Sequence, residues 1–174
     1  VTVAGNTSYS ETIHLLDLRE NDAEKYQAPE KRTFTKDITI PASANYNSND
    51  IKVQAFVTDF SQNTEESDIM SLKMDITDPT IDVTYDLNSP LNDRYYNATR
   101  TATVTVTERN FDPSAVRFNI TNTDGTQPSI SGWSHSSNSG VSDSATHTCT
   151  VTFAADGDYT FTLNSTDLAG NDSN

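Results

Sequence analysis

From Thr101 to Thr107 the chain reads TATVTVT, and this run restricts the fold more than any other feature. In an extended backbone Ala102, Val104 and Val106 fall on one face, and Thr101, Thr103, Thr105 and Thr107 on the other. A helix, at about 3.6 residues per turn, would scatter both sets round its axis, whereas a strand separates them by its period of two. β-Branched side chains on both faces add to the preference. The pattern returns in THTCTVTFAADG (146–157), where His147, Cys149, Val151 and Phe153 oppose threonines. It returns again in DYTFTLNSTD (158–167), with Tyr159, Phe161 and Leu163 on one side. Half-buried antiparallel strands are the expectation. Asp-Gly steps at 124–125 and 156–157 supply turns, and the best helical stretch is the short NDAEKYQ at 21–27.

The chain also writes much of itself twice. VTVAGNTSYSETIHL (1–15) lies over VTVTERNFDPSAVRF (104–118) without a gap, and TFTKDITIPA (33–42) matches THTCTVTFAA (146–155). IKVQAFVTDFSQN (51–63) matches DYTFTLNSTDLAGN (158–171). A period of about 100 residues suits one sandwich domain per copy and is too long for a solenoid. Pro79 interrupts strand pairing between the copies, and alternation resumes with Ile81, Val83 and Tyr85. The expected domains are therefore 1–77 and 78–174. The first begins part-way through its second strand, and the second stops where the first goes on to TEESDIMSLKMDIT. An N-terminally incomplete first domain and a second without its last strand are expected. That implies a piece of a longer array, or an edge strand supplied by a neighbouring chain.

Both copies share Thr-Asp-(bulky apolar)-(small)-x-Asn, at 58–63 and 166–171. Asp59 and Asp167 would end a strand and accept backbone N–H bonds from a tight turn, with Asn63 and Asn171 in the left-handed conformation such turns need. This turn-capping reading is preferred to a metal-ligand role.

Charge and composition exclude several functions. The net charge of −14 is spread over both copies and repels phosphate backbones and anionic lipid, so neither nucleic acid nor direct membrane contact is expected. No apolar run reaches the about 18–20 residues needed to span a bilayer, and no signal peptide is recognisable. Cys149 is the single cysteine, which removes any intramolecular disulfide. Abundant Thr, Ser, Asn and Asp point to an extracellular surface.

Candidate chemistry is sparse. His14, His135 and His147 belong to no metal or triad motif, and no G-x-S-x-G, H-E-x-x-H, C-x-x-C or phosphate loop is present, so no enzyme is expected. Calcium is the one cofactor weighed: Asp75 and Asp78 at the junction and Asp156 and Asp158 around Gly157 offer hard oxygen ligands. Solvated acids are the preferred reading of all four. A Lys–Asn cross-link is ruled out in the second copy, which has no lysine, and no pattern marks Lys36, Lys52 or Lys73 in the first. Trp133, with Tyr95 and Tyr96, is the only candidate aromatic platform for a ligand; a core plug is the preferred role for Trp133.

DPTIDVTYD (78–86), RYYNATRTATVTVTERNF (94–111), SISGWS (129–134) and HTCTVTFAADGDYTFTLNSTDLAGN (147–171) together resemble the bacterial immunoglobulin-like repeats of large cell-surface proteins, especially those of gut Firmicutes. The resemblance covers nearly all of 77–174 and, more weakly, 1–76. It implies an all-β chain of two tandem immunoglobulin-like antiparallel β-sandwiches, extracellular at a cell surface and wall-attached through a region outside 1–174. The implied work is a non-enzymatic spacer or stalk whose partners are neighbouring repeats. The alternative is an adhesin module that binds a host protein, such as a glycoprotein or immunoglobulin, or a glycan.

Overall fold

The structure, a computed structural model, describes residues 2–3, 7–8, 37, 39–40, 47–58, 61–92 and 94–173. The chain divides into two units, residues 1–46 with 50–72, and residues 47–49 with 73–174. The division falls before the expected 77/78 boundary because the junction is hydrogen-bonded into the second unit. There the Asn47 side chain accepts from Ile76 N (3.3 Å) and donates to Thr77 Oγ1 (2.7 Å).

Most of the first unit's described strands, β1 (Thr2–Val3), β2 (Thr7–Ser8), β3 (Ser48–Val53, from Asp50 on) and β6 (Met70–Met74, up to Leu72), belong to a sheet of order β2-β1-β3-β6. Ile51, opposite Val3, is fully buried. A separate hairpin joins β4 (Phe56–Thr58) to β5 (Thr64–Glu66), pairing Phe56 with Glu66 and Thr58 with Thr64. Ser67 continues the pairing past β5: its N–H donates to Ala55 O (2.9 Å) and its Oγ accepts from Ala55 N (3.0 Å). Most of 33–42, the 21–27 stretch, His14, Lys36 and Asp59 lie outside the described residues.

The second unit is built on β8 (Arg100–Thr107) and β12 (Thr146–Phe153), paired antiparallel over their whole length from Thr107↔Thr146 to Arg100↔Phe153. β7 (Thr80–Tyr85) lies beside β8, while β10 (Ser129–Ile130) and β11 (Ser134–His135) share the far edge of β12. The sheet order is β10-β12-β8-β7. A second sheet pairs β9 (Arg117–Asn122) with β13 (Tyr159–Asn164). The chain passes from β8 to β9 through a 3₁₀ turn, Pro113–Ala115, capped by Asp112, whose carboxylate accepts from Ser114 N (2.8 Å) and Ser114 Oγ (2.6 Å).

Alternation decides what lies between the sheets. Ala102, Val104, Val106, Cys149 and Val151 are buried and pack with Phe111 and Val116. Ile81, Val83 and Tyr85 of β7, Phe118 and Ile120 of β9, and Phe161 and Leu163 of β13 close round them. Each fully buried valine contributes about 1.5–3 kcal/mol. Among the described residues the fold is all-β and antiparallel, with no α-helix.

The duplicated turn differs from expectation in one detail. The left-handed residue is not the asparagine but the residue before it: Gly170 at φ +94° in the second copy and Gln62 at φ +68° in the first. Both copies thus bend at the same aligned position. Glycine takes this conformation freely, whereas a residue with a Cβ is strained there. Replacing Gln62 with Gly is therefore expected to stabilise the first unit by about 0.5–1 kcal/mol in urea melts, despite glycine's extra unfolded-state entropy.

Candidate metal centre

The parity of β8 does not stop at its end. Positions 102, 104 and 106 point inward, and the next inward position carries a glutamate. Glu108 is only 1% exposed. Its N–H donates to Ala145 O (2.9 Å) and its carbonyl accepts from His147 Nε2 (2.8 Å), which fixes the backbone on both sides. Of its carboxylate oxygens, Oε1 accepts from Asn110 N (2.7 Å), while Oε2 is buried with no hydrogen-bond partner.

Two more carboxylates meet it. Asp167, 5% exposed, follows β13 and organises the DLAGN turn: Oδ1 accepts from Ala169 N and Asn171 N (both 2.8 Å), and Oδ2 from Asn171 Nδ2 (2.8 Å). Asp75, half-buried ahead of β7, accepts from Thr77 N (3.1 Å) through Oδ1 and from Asn110 Nδ2 through Oδ2. Asn171 Nδ2 also reaches the Asp75 carbonyl (3.3 Å), and Leu168 N donates to Asn110 O (2.9 Å). One carboxylate oxygen from each of Asp75, Glu108 and Asp167 lies within 4.8 Å of the other two.

The donors round this cluster are neutral amides. The nearest cation in sequence, Arg109, turns away to Asp143 (2.8 Å) and to the Asn47 carbonyl (2.6 Å). Burial therefore pushes the Glu108 carboxyl up to about 7, with the Asp75 and Asp167 charges adding to it and the Asn110 N–H opposing.

Of the four aspartates considered for calcium, only Asp75 joins this group. Asp78 is exposed, and Asp156 and Asp158 are exposed at the other end of β13 from Asp167. The sequence reading passed over Glu108. The signal was present, since continuing the parity of Ala102, Val104 and Val106 by one more step places an acid in the core.

The other candidate residues have separate settings. Trp133 is half-buried, edge-on to Phe111 (4.8 Å between ring centroids) and near Phe118 (6.4 Å). Tyr96 lies against the Arg100 guanidinium (4.2 Å to the ring centroid), which also lies over Tyr85 (3.8 Å). Tyr95 is 65% exposed. No ring contact joins Trp133 to either tyrosine among the described residues. His147 donates through Nε2 to the Glu108 carbonyl, and its Nδ1 bonds to His135 Nδ1 (2.8 Å); burial holds the His147 imidazole below its ordinary pKa, stacked on Phe111, while His135 lies exposed beside it.

No protein-family model, curated protein or solved structure matches the chain.

Proposed function

We propose that the chain consists of two tandem immunoglobulin-like repeats serving as a non-enzymatic extracellular spacer of a bacterial cell-surface protein. The observation that carries this reading is strand order in the second unit, which the first unit's described sheet, β2-β1-β3-β6, does not repeat. The sequence β7-β8-β12-β10 in one sheet, facing β9 and β13 in the other, corresponds to the A-B-E-D and C-F arrangement of an immunoglobulin sandwich. The aligned left-handed turn residues, Gln62 and Gly170, support a duplicated blueprint. Among the described residues, groups suited to chemistry have structural settings: His135 and His147 bond to each other and His147 to backbone, and Cys149 is buried with its thiol pushed up to about 11.

A second reading, an adhesin module, is favoured by one feature. The loop between β7 and β8 presents Tyr95 and Leu91, 65% and 51% exposed and bridged to each other through their backbones. Aromatic anchors of this kind recur at binding hot spots. A glycan array and a serum-protein pulldown with wild type and Tyr95→Ala separate the two. Silence from both proteins is the result expected of a spacer. A specific ligand bound by wild type and lost in Tyr95→Ala would establish the adhesin instead.

A further inference from the structure

We propose that Asp75, Glu108 and Asp167 form a divalent-cation site that takes calcium. The site does not depend on whether the repeats act as spacer or adhesin.

Two independent observations point to a ligand. The first is the convergence of three carboxylates from chain segments far apart in sequence: the junction before β7, the end of β8, and the turn after β13. Their oxygens lie within 4.8 Å of one another, and opposite ligands of a calcium ion at about 2.4 Å would be about 4.8 Å apart. The second is Glu108 Oε2, a buried acceptor with no donor on a residue that is 99% enclosed. A carboxylate oxygen sealed from water is costly unless a proton or a cation meets it.

Charge and geometry select the class of ion. Three carboxylates surrounded by neutral amide donors offer hard oxygens, with no imidazole or thiolate among them, which disfavours zinc and copper. Magnesium needs a near-octahedral shell at about 2.0–2.1 Å, whereas calcium accepts six to eight oxygens in irregular arrangements. The constraints on the three residues differ in kind: Asp167 is held by the DLAGN turn, Glu108, just past β8, by backbone bonds to Ala145 and His147, and Asp75 by Thr77 and Asn110. A shell assembled from such segments suits the more tolerant ion. Bound calcium would clamp the entry strand of the second unit to the far ends of β8 and β13.

The test is titration of calcium chloride into the chelator-treated full chain by calorimetry, with melting curves in calcium, magnesium and chelator. One site per chain is expected, with a dissociation constant of about 10⁻⁴–10⁻³ M, the range of extracellular modules. At 10 mM calcium the melting temperature is expected to rise by about 5 °C or more, and by less in magnesium. Glu108→Gln keeps the shape of the side chain, so it should remain folded and lose both the binding heat and the shift. Asp75→Asn, at the more exposed position, should weaken binding at least about tenfold and provides the same test if Glu108→Gln fails to fold. Wild type unmoved by 10 mM calcium overturns the proposal. So does full binding retained in either variant, which would place the ion elsewhere on this acidic surface.

Discussion

Replacing Phe111 with alanine is expected to lower the stability of the second unit by about 3–5 kcal/mol, the cost of an emptied aromatic site in a packed core. Phe111 follows β8 and lies at the meeting point of three other rings. It stacks on His147 (4.3 Å, 13° between planes), meets Trp133 edge-on (4.8 Å) and lies 6.0 Å from His135. A domain of this size has only about 5–15 kcal/mol in total, so the substitution removes a large part of it. The loss extends beyond volume. The buried His147 ring stacks on Phe111, and opening the site exposes that imidazole to water. Denaturant melts of wild type and Phe111→Ala measure the difference directly. A loss below about 1 kcal/mol would mean that the ring cluster is not the packed centre described here.

The second large effect is expected in chelator, as a pH-dependent difference between wild type and Glu108→Gln. Folding raises the Glu108 carboxyl from 4.5 to about 7, chiefly through burial. A carboxyl raised in this way adds stability that is fully present below about pH 4.5 and disappears as pH climbs through about 7. Wild type should therefore lose on the order of 2 kcal/mol relative to Glu108→Gln between pH 5 and pH 8, allowing for partial screening. His147 acts in the opposite sense. Burial, with the neighbouring His135 adding, lowers its pKa from 6.5 and the hydrogen bond to Glu108 O opposes, so it withdraws stability as pH falls below 6.5. That contribution is common to both proteins and cancels in the difference. A difference that stays flat from pH 5 to pH 8 contradicts the description of Glu108 as a buried, strained acid.

Local regularities in this chain are legible without coordinates. The alternation of Ala102, Val104 and Val106, and of His147, Cys149 and Val151, identifies β8, β12 and their buried faces, because period two leaves a strand no freedom over which side chains turn inward. The turn role of Asp167 is equally local, as its partners lie two and four residues away. The left-handed residue is one place earlier than expected because the asparagine side chain is used differently. Asn171 donates through its side chain to Asp167 and to the Asp75 carbonyl, and the reversal falls on Gly170, where a left-handed backbone carries no Cβ cost. What spacing could not reveal is the meeting of Asp75, Glu108 and Asp167. Their convergence depends on which sheet ends coincide in space. A search for clustered aspartates therefore favours neighbours in sequence, such as Asp156 and Asp158, over neighbours in the fold.

Reactivity of the only thiol offers the most direct check on the architecture. Cys149 sits in the middle of β12, opposite Val104 of β8, 2% exposed, with its thiol pushed up to about 11 by burial. If the two sheets enclose this face, a thiol reagent at pH 8 should label the native protein at least about a thousandfold more slowly than the guanidinium-unfolded chain, since labelling must wait for global opening. Native labelling within about tenfold of the unfolded rate would show that β8 and β12 are not sealed between sheets, and the fold described here would be wrong.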